Sequence, residues 1–289
     1  MNVLNVLAGD HPSVTVQSAL NWAQHQGVTR LEAQMLLLHV LGRELHDRVW
    51  LLSHGAEAVD LDVHLTFQAQ VARRLADEPM AYITGQKEFF GLPLLVDARV
   101  LDPRADTEVL VEWALSCLAD IASPQVVDLG TGSGAIALGL KHSRPDAQVW
   151  AVDLSADALA VAQANAERLA LPITWRHGAW CAPLGDALFD AIVSNPPYVP
   201  EHDPHLQRLK HEPLQALTSG QDGLDDIRQI VQQARSYLRP GGWLLMEHGF
   251  DQALAVHDLL RNAGFEQVQS RPDLAGILRC TGGRWATMK

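Results

Sequence analysis

One stretch narrows the folds open to this chain more than any other. The apolar pair Val126-Val127 runs into Asp128-Leu129-Gly130-Thr131-Gly132-Ser133-Gly134, and a helical pattern follows over residues 135–142. Glycines at alternate positions let the backbone turn tightly and come close to a ligand. Between a strand and a helix, such a turn lies at the carboxyl edge of an open α/β sheet, where these sheets bind ligands. The flanking pattern agrees. Strands are predicted at 125–129, 148–152, 173–176, 191–194 and 243–247, and near 267–270 and 277–280. Helices are predicted at 108–118, 135–142, 155–169, 226–238 and 252–263. Strands that alternate with helices imply an α/β domain with a mostly parallel, doubly wound sheet.

The first seventy-odd residues have a different period. Val16 to His25 carries apolar residues at helical spacing and stops at Gly27. Thr29 and Glu32 form a capping box that opens a helix ending near Leu41-Gly42, and Asp47 caps a short helix through Leu52. Val63, Phe67, Val71 and Leu75 then recur every four residues, an amphipathic stripe that Pro79 ends. These features predict a small helical bundle over 1–78. Residues 79–103 are β-prone at Tyr82-Ile83, Phe89-Phe90 and Leu92 to Val96, broken by glycines and Pro93, which reads as a β-hairpin linker. The α/β domain then spans 104–289.

Charge and cysteine content exclude some functions. The formal net charge is −12, so affinity built on phosphate neutralisation is disfavoured. Cys117, Cys181 and Cys280 are far apart, which argues against a disulfide framework or a zinc site. His202, Asp203, His205 and His211 read as a solvated polar loop; no metal is expected. No stretch is long enough to span a membrane and the start lacks a signal-peptide pattern, so a cytoplasmic protein is expected.

Two strand ends carry the chemistry. The strand after the glycine turn ends at Asp153, whose carboxylate could accept hydrogen bonds from both hydroxyls of a ribose. The third glycine comes one residue too early for the NAD fingerprint, and no Walker lysine is present. The apolar run Ala191-Ile192-Val193 leads into Ser194-Asn195-Pro196-Pro197-Tyr198. Asn-Pro-Pro is common loop punctuation. The tetrad also suits a specific task, the methylation of a nitrogen whose lone pair is delocalised. The Asn195 side-chain oxygen and a prolyl carbonyl can accept both N–H groups, the prolines hold these acceptors in place, and Tyr198 can lie against the flat group. With the glycine turn, this points to S-adenosylmethionine as donor. Trp180, after the next strand, is a candidate to stack on its adenine, or a packing aromatic.

Taken in order, these motifs resemble the HemK family, the glutamine-N5 methyltransferases of peptide chain release factors. The resemblance covers nearly the whole chain. It includes Val100 to Glu108, Glu212-Pro213, Asp222-Gly223-Leu224, Leu245 to Gly249 and Asp273 to Gly276 alongside the glycine turn and the tetrad. It implies a class I methyltransferase (Rossmann-like) fold with an N-terminal substrate-docking domain. It also implies methyl transfer from S-adenosylmethionine, without a metal, to the glutamine side chain of the Gly-Gly-Gln tip of class I release factors. Gly130, Thr131, Gly132, Ser133 and Gly134 would line the methionine part of the donor, Asp153 its ribose and Trp180 its adenine. Asn195 would touch donor and substrate, with Pro196, Pro197 and Tyr198 completing the amide pocket. The chain departs from the family pattern in several places, and at the last motif Ile277-Leu278-Arg279 agrees only in part with the usual charged residue and arginine. Ala105 stands where a proline is usual, Asp102 where an aliphatic residue is usual, and Ala179 where many relatives carry an acid.

The expected mechanism is direct in-line transfer, with Asn195 and the Pro196 carbonyl aligning the amide and no nucleophilic residue. The protein is expected to act as a monomer on a protein substrate, with no membrane and no direct nucleic-acid partner. Two other functions compete. The tetrad also suits an exocyclic amine of a nucleic acid, adenine N6 or guanine N2, which the acidic charge disfavours. A non-catalytic partner-binding protein could keep the same fold.

Overall fold

A computed structural model describes residues 14–286. The chain divides between Thr84 and Gly85 into two compact units. The first is helical: α1 (Val16–Gln26), α2 (Arg30–Val40), α3 (Arg48–Ser53), α4 (Leu61–Leu75) and α5 (Met80–Thr84). Helix α1 ends where Gly27 turns to φ +107°, a conformation that favours glycine. The Thr29 hydroxyl accepts from the Glu32 amide at 3.3 Å while the Glu32 carboxylate accepts from the Thr29 amide at 3.2 Å, so the capping box closes both ways. Leu20, Leu36, Leu37, Phe67, Val71 and Ile83 make the core of this unit. The stripe on α4 is buried at Phe67 and Val71 but its last member, Leu75, is 47% exposed.

Residues 80–84 differ from the sequence expectation: Tyr82 and Ile83 are helical, not β. Pro79 stands just before the first turn, where its missing N–H costs nothing, and its carbonyl accepts from the amides of Tyr82 and Ile83 at 3.0 and 3.2 Å. Burial of Ile83 in the helical core outweighs the weak β preference of the pair.

The second unit opens with an antiparallel hairpin, β1 (Gln86–Phe89) and β2 (Leu92–Leu95). There follow α6 (Glu108–Cys117), β3 (Gln125–Leu129), α7 (Ala135–Ser143), β4 (Gln148–Asp153), α8 (Ala156–Leu169), β5 (Thr174–His177) and β6 (Phe189–Ser194). The chain closes with α9 (Asp225–Ala234), β7 (Leu238–Glu247), α10 (Ala253–Asn262), β8 (Phe265–Pro272) and β9 (Leu278–Trp285). The seven-stranded sheet has the order β5-β4-β3-β6-β7-β9-β8. Strands β5, β4, β3, β6 and β7 pair in parallel, whereas β9 runs antiparallel to both neighbours. Leu238, expected as the end of a helix, instead opens β7 opposite Phe189, across an irregularity in the β6–β7 pairing.

The strand order reverses at β3 and β6. Their carboxyl ends therefore border the crevice in which open α/β sheets hold ligands. The Ser194 hydroxyl donates to the Leu129 carbonyl at 2.6 Å and ties the two strand ends together. Buried Asn165 on α8 fixes the hairpin to the glycine turn. It accepts from the Leu95 amide at 2.6 Å and donates to the carbonyls of Leu95 and Ser133 at 2.9 and 3.0 Å. Among the described residues no helix is long and apolar enough to cross a membrane, and no three His, Cys, Asp or Glu side chains are grouped to hold a metal ion.

Candidate active site

The glycine turn after β3 shows its backbone to a cleft at the carboxyl edge of the sheet. Gly130, Gly132 and Gly134 sit at φ +73°, +56° and +85°, the left-handed region that side chains disfavour. The amides of Gly130 and Thr131 both donate to the Val152 carbonyl at 2.9 Å. The Thr131 hydroxyl points inward and donates to Asp128 Oδ2 at 2.6 Å. Burial pushes the Asp128 carboxyl up to about 7, against the pull of that hydrogen bond. Ser133 is buried as well. At Gly134 a β-carbon would stand 3.2 Å from both Ala162 and Leu138, so this glycine serves close packing of α7 and α8. Gly130 and Gly132 line the cleft, while Thr131, Ser133 and Gly134 are not among its lining residues.

Asp153 closes the far side of the turn. Its Oδ2 accepts from the Gly132 amide and its Oδ1 from the Ser155 amide, each at 2.8 Å. Burial raises its pKa while the backbone donors hold it down. The carboxylate still lines the cleft, alongside Trp180 and Ala179. Trp180 has a left-handed backbone at φ +48° and packs against Gly130.

The tetrad follows β6. Asn195 and Pro197 line the same cleft, and Pro196 is buried beside them. Asn195 Nδ2 donates to the Thr107 hydroxyl at 3.2 Å. Thr107 in turn donates to Glu247 Oε2 at 2.6 Å, and the Tyr198 hydroxyl donates to Glu247 Oε1 at 3.2 Å. Glu247 lies at the end of β7 and is buried, which pushes its carboxyl up to about 7. Tyr198 was expected to lie against a flat substrate group. Its hydroxyl is held by Glu247, its ring packs on the sheet core, and burial beside that carboxylate raises its pKa. The loop is fixed from outside too. The Tyr198 and Val199 amides donate to the Leu217 carbonyl at 3.1 and 2.8 Å, and Gln252 Nε2 donates to the Tyr198 carbonyl at 3.0 Å. Any side chain at Gly223 would collide with that carbonyl, which accounts for the glycine in Asp222-Gly223-Leu224.

The segment before α6 forms the rim. Arg104 bonds Glu212 at 2.6 Å and Asp102 at 3.3 Å, and Lys87 reaches Asp102 at 3.3 Å. Burial works against the Arg104 charge, but Glu212 and Asp102 outweigh it and raise its pKa. Asp102, in place of an aliphatic residue, is thus one member of an ion cluster. The 3-10 turn Ala105–Thr107 needs no second proline to form. Sequence reasoning assigned no role to Thr107, Glu247 or Asn165. All three are polar residues in otherwise apolar or helical stretches, and that mismatch was the available signal. Elsewhere, exposed His205 pairs through Nδ1 with half-buried Asp203 at 2.8 Å, and the three cysteines are free thiols.

The family described as Methyltransferase small domain matches residues 106–271, and the PrmC N-terminal domain family matches residues 18–85. The chain is similar to the release factor glutamine methyltransferase of Burkholderia pseudomallei, 48% identical over 263 residues, which cover 88% of this chain and 91% of that protein. It is also similar to the release factor glutamine methyltransferase of Bordetella pertussis, 49% identical over 260 residues, covering 89% and 95%. Among solved structures, a methyltransferase from Pyrococcus furiosus matches with a TM-score of 0.52 at 17% identity, covering 76% of this chain and all of that one. That likeness concerns the fold, which is the class I methyltransferase (Rossmann-like) fold.

Proposed function

We propose, from the premise that this chain belongs to the release factor glutamine methyltransferase family, that it methylates the glutamine side-chain nitrogen of the Gly-Gly-Gln tip of class I release factors, with S-adenosylmethionine as donor. The residues present fit that donor. Gly130 and Gly132 leave the backbone bare toward the cleft, and Trp180 and Asp153 flank them. The two glycines would pass the aminocarboxypropyl part. Asp153 keeps a spare lone pair on each oxygen for the ribose hydroxyls. Trp180 offers a flat face for the adenine. Thr131, Ser133 and Gly134 support the turn from behind, Thr131 through its hydroxyl on Asp128 and Ser133 through its carbonyl on Asn165. When bound, S-adenosylmethionine supplies a methyl group activated by a sulfonium centre.

The observation that carries the reading is the state of the Asn195 amide. Its Nδ2 is committed to Thr107, which leaves Oδ1 as the end able to accept from a substrate. The Pro196 carbonyl accepts no hydrogen bond among the described residues, so a second acceptor stands one residue further along. Two acceptors on a rigid loop suit the two N–H atoms of a primary amide. Alignment of this kind is the main contribution a protein can make to such a transfer. Pro197 shapes the wall of the amide pocket, and Tyr198 holds the loop through Glu247. The N-terminal helical unit is the docking module for the release factor. The enzyme acts in the cytoplasm as a monomer.

The test offers labelled S-adenosylmethionine with purified release factor and, separately, with total RNA. Label is expected on the release factor, at the glutamine, and not on RNA. Label on RNA alone overturns the substrate assignment. Asn195→Ala should reduce turnover on the order of 100-fold while donor binding is kept; near-wild-type turnover would refute its role.

A further inference from the structure

We propose that Glu247 is a positioning residue for methyl transfer: through the Thr107 hydroxyl, its carboxylate fixes which end of the Asn195 amide faces the cleft. The proposal rests on the reading that Asn195 Oδ1 accepts a hydrogen from the substrate amide.

An asparagine amide has two ends of nearly equal shape, and only the oxygen accepts. A site that needs an acceptor must therefore disfavour rotation of the amide by half a turn. The partner of Asn195 is the Thr107 hydroxyl, at 3.2 Å. A hydroxyl donates or accepts, so Thr107 alone does not discriminate between the two ends. Glu247 does. The Thr107–Glu247 contact is 2.6 Å, and an ionised carboxylate only accepts. The Thr107 hydrogen is committed to Glu247, and only lone pairs are left for Asn195. Rotating the amide would set Asn195 Oδ1 against those lone pairs. Tyr198 donates to the other oxygen of Glu247, so each oxygen has its own donor. Glu247 is 1% exposed and Thr107 4%, so both bonds are buried away from bulk solvent.

The same chain of bonds predicts a pH response. Burial pushes the Glu247 carboxyl up to about 7; Thr107 and Tyr198 pull it down, Asp106 beside Thr107 pushes it up, and Arg279 on β9 pulls it down. Cys280 pairs with Glu247 across β7 and β9, and His248 is its chain neighbour. Both stay neutral near pH 7, because burial raises the thiol and lowers the imidazole. A protonated Glu247 can itself donate to Thr107. The Thr107 hydrogen is then free to turn toward Asn195, and the rotated amide becomes favourable.

The experiment compares wild type, Glu247→Gln, Thr107→Val, Thr107→Ser and the Glu247→Gln/Thr107→Val double variant in the full chain, on release factor. Glutamine can donate to Thr107, and valine removes the relay without changing the volume much. Each of these two variants should lower kcat on the order of 100-fold, with KM for S-adenosylmethionine within about twofold of wild type. The double variant should lose no more than the worse single one, and Thr107→Ser should keep activity. Wild-type kcat should fall as pH drops through about 7, and Glu247→Gln should lack that limb. Wild-type kcat in both single variants, or losses that multiply in the double variant, would overturn the proposal. A release factor left unlabelled by the wild type overturns the substrate assignment alone. The orientation is then still read from the Asn195 side-chain amide protons by NMR. They should change environment in Glu247→Gln, and unchanged signals would sink the proposal on their own.

Discussion

The indole of Trp180 lies against Gly130 so closely that a β-carbon on the glycine would stand 3.3 Å from the ring. Both residues hold left-handed backbones, Gly130 at φ +73° and Trp180 at φ +48°. For a bulky residue that conformation costs about 1–3 kcal/mol and persists only when its surroundings hold it. Gly130→Ala would strain the turn and push the indole off it. We expect the dissociation constant for S-adenosylhomocysteine to rise on the order of tenfold or more. Trp180→Ala should weaken binding by about 1–3 kcal/mol, the usual value of an aromatic stack on a base. Isothermal titration measures both. An unchanged affinity in Trp180→Ala would remove the indole from the donor site.

Asn165 offers a test of stability rather than activity. It is fully buried and holds both polar groups of Leu95 and the Ser133 carbonyl. Asn165→Ala leaves those backbone groups without partners, and a buried unsatisfied group costs about 1–3 kcal/mol. The urea midpoint should fall accordingly. Because Ser133 belongs to the glycine turn, donor affinity should fall with it. A variant with wild-type stability would show that water or a backbone shift replaces all three bonds.

What the sequence made legible follows the range of the forces involved. Helix starts at Thr29, Asp47 and Ser155 are written within three residues, and each hydroxyl or carboxylate caps the helix it precedes. Strand and helix periods differ enough to fix the α/β alternation. Gly130, Gly132, Asp153, Trp180, Asn195 and Pro197 meet in one cleft because each ends a strand or follows one closely. Tyr82-Ile83 was illegible because a weak local preference lost to tertiary burial. The Thr107–Glu247 bond was illegible for a different reason. Its partners are 140 residues apart, and nothing in the local pattern of either one names the other. The family motifs contain both residues, yet only the fold brings them together beneath Asn195.

Asp128 predicts a pH-dependent stability. In an unfolded chain its carboxyl ionises near its ordinary value of 3.8, whereas burial holds it protonated in the fold up to about 7. Its raised pKa therefore favours the folded state fully below the unfolded value. That contribution is lost as pH rises through about 7. Glu247 acts in the same sense, while buried His248, with its lowered pKa, acts in the opposite one. A difference measurement isolates Asp128. The stability of wild type minus that of Asp128→Asn should fall as pH goes from about 5 to about 8, and flatten above about 7. Thermal or urea unfolding across that range gives the answer, and a difference independent of pH would mean that Asp128 is ionised throughout.

The docking role proposed for the N-terminal unit can be tested at its surface without disturbing its core. Val49 and Leu52 on α3 are 77% and 72% exposed, and Leu61 and Leu65 on α4 are exposed as well. Exposed apolar side chains on two helices of a small helical unit suit a protein partner. Charge placed there should repel an apolar docking surface but leave the fold intact, since exposed positions contribute within about 0.5 kcal/mol to stability. Val49→Glu/Leu52→Glu should therefore raise KM for the release factor several-fold, roughly 1 kcal/mol or more of lost binding. The unfolding midpoint and the affinity for S-adenosylhomocysteine should not move. A short peptide carrying Gly-Gly-Gln offers only the tip of the substrate, so its methylation should be equally slow in wild type and variant. If the variant slowed the peptide as much as the whole release factor, the effect would lie in the catalytic unit and the docking role would fall.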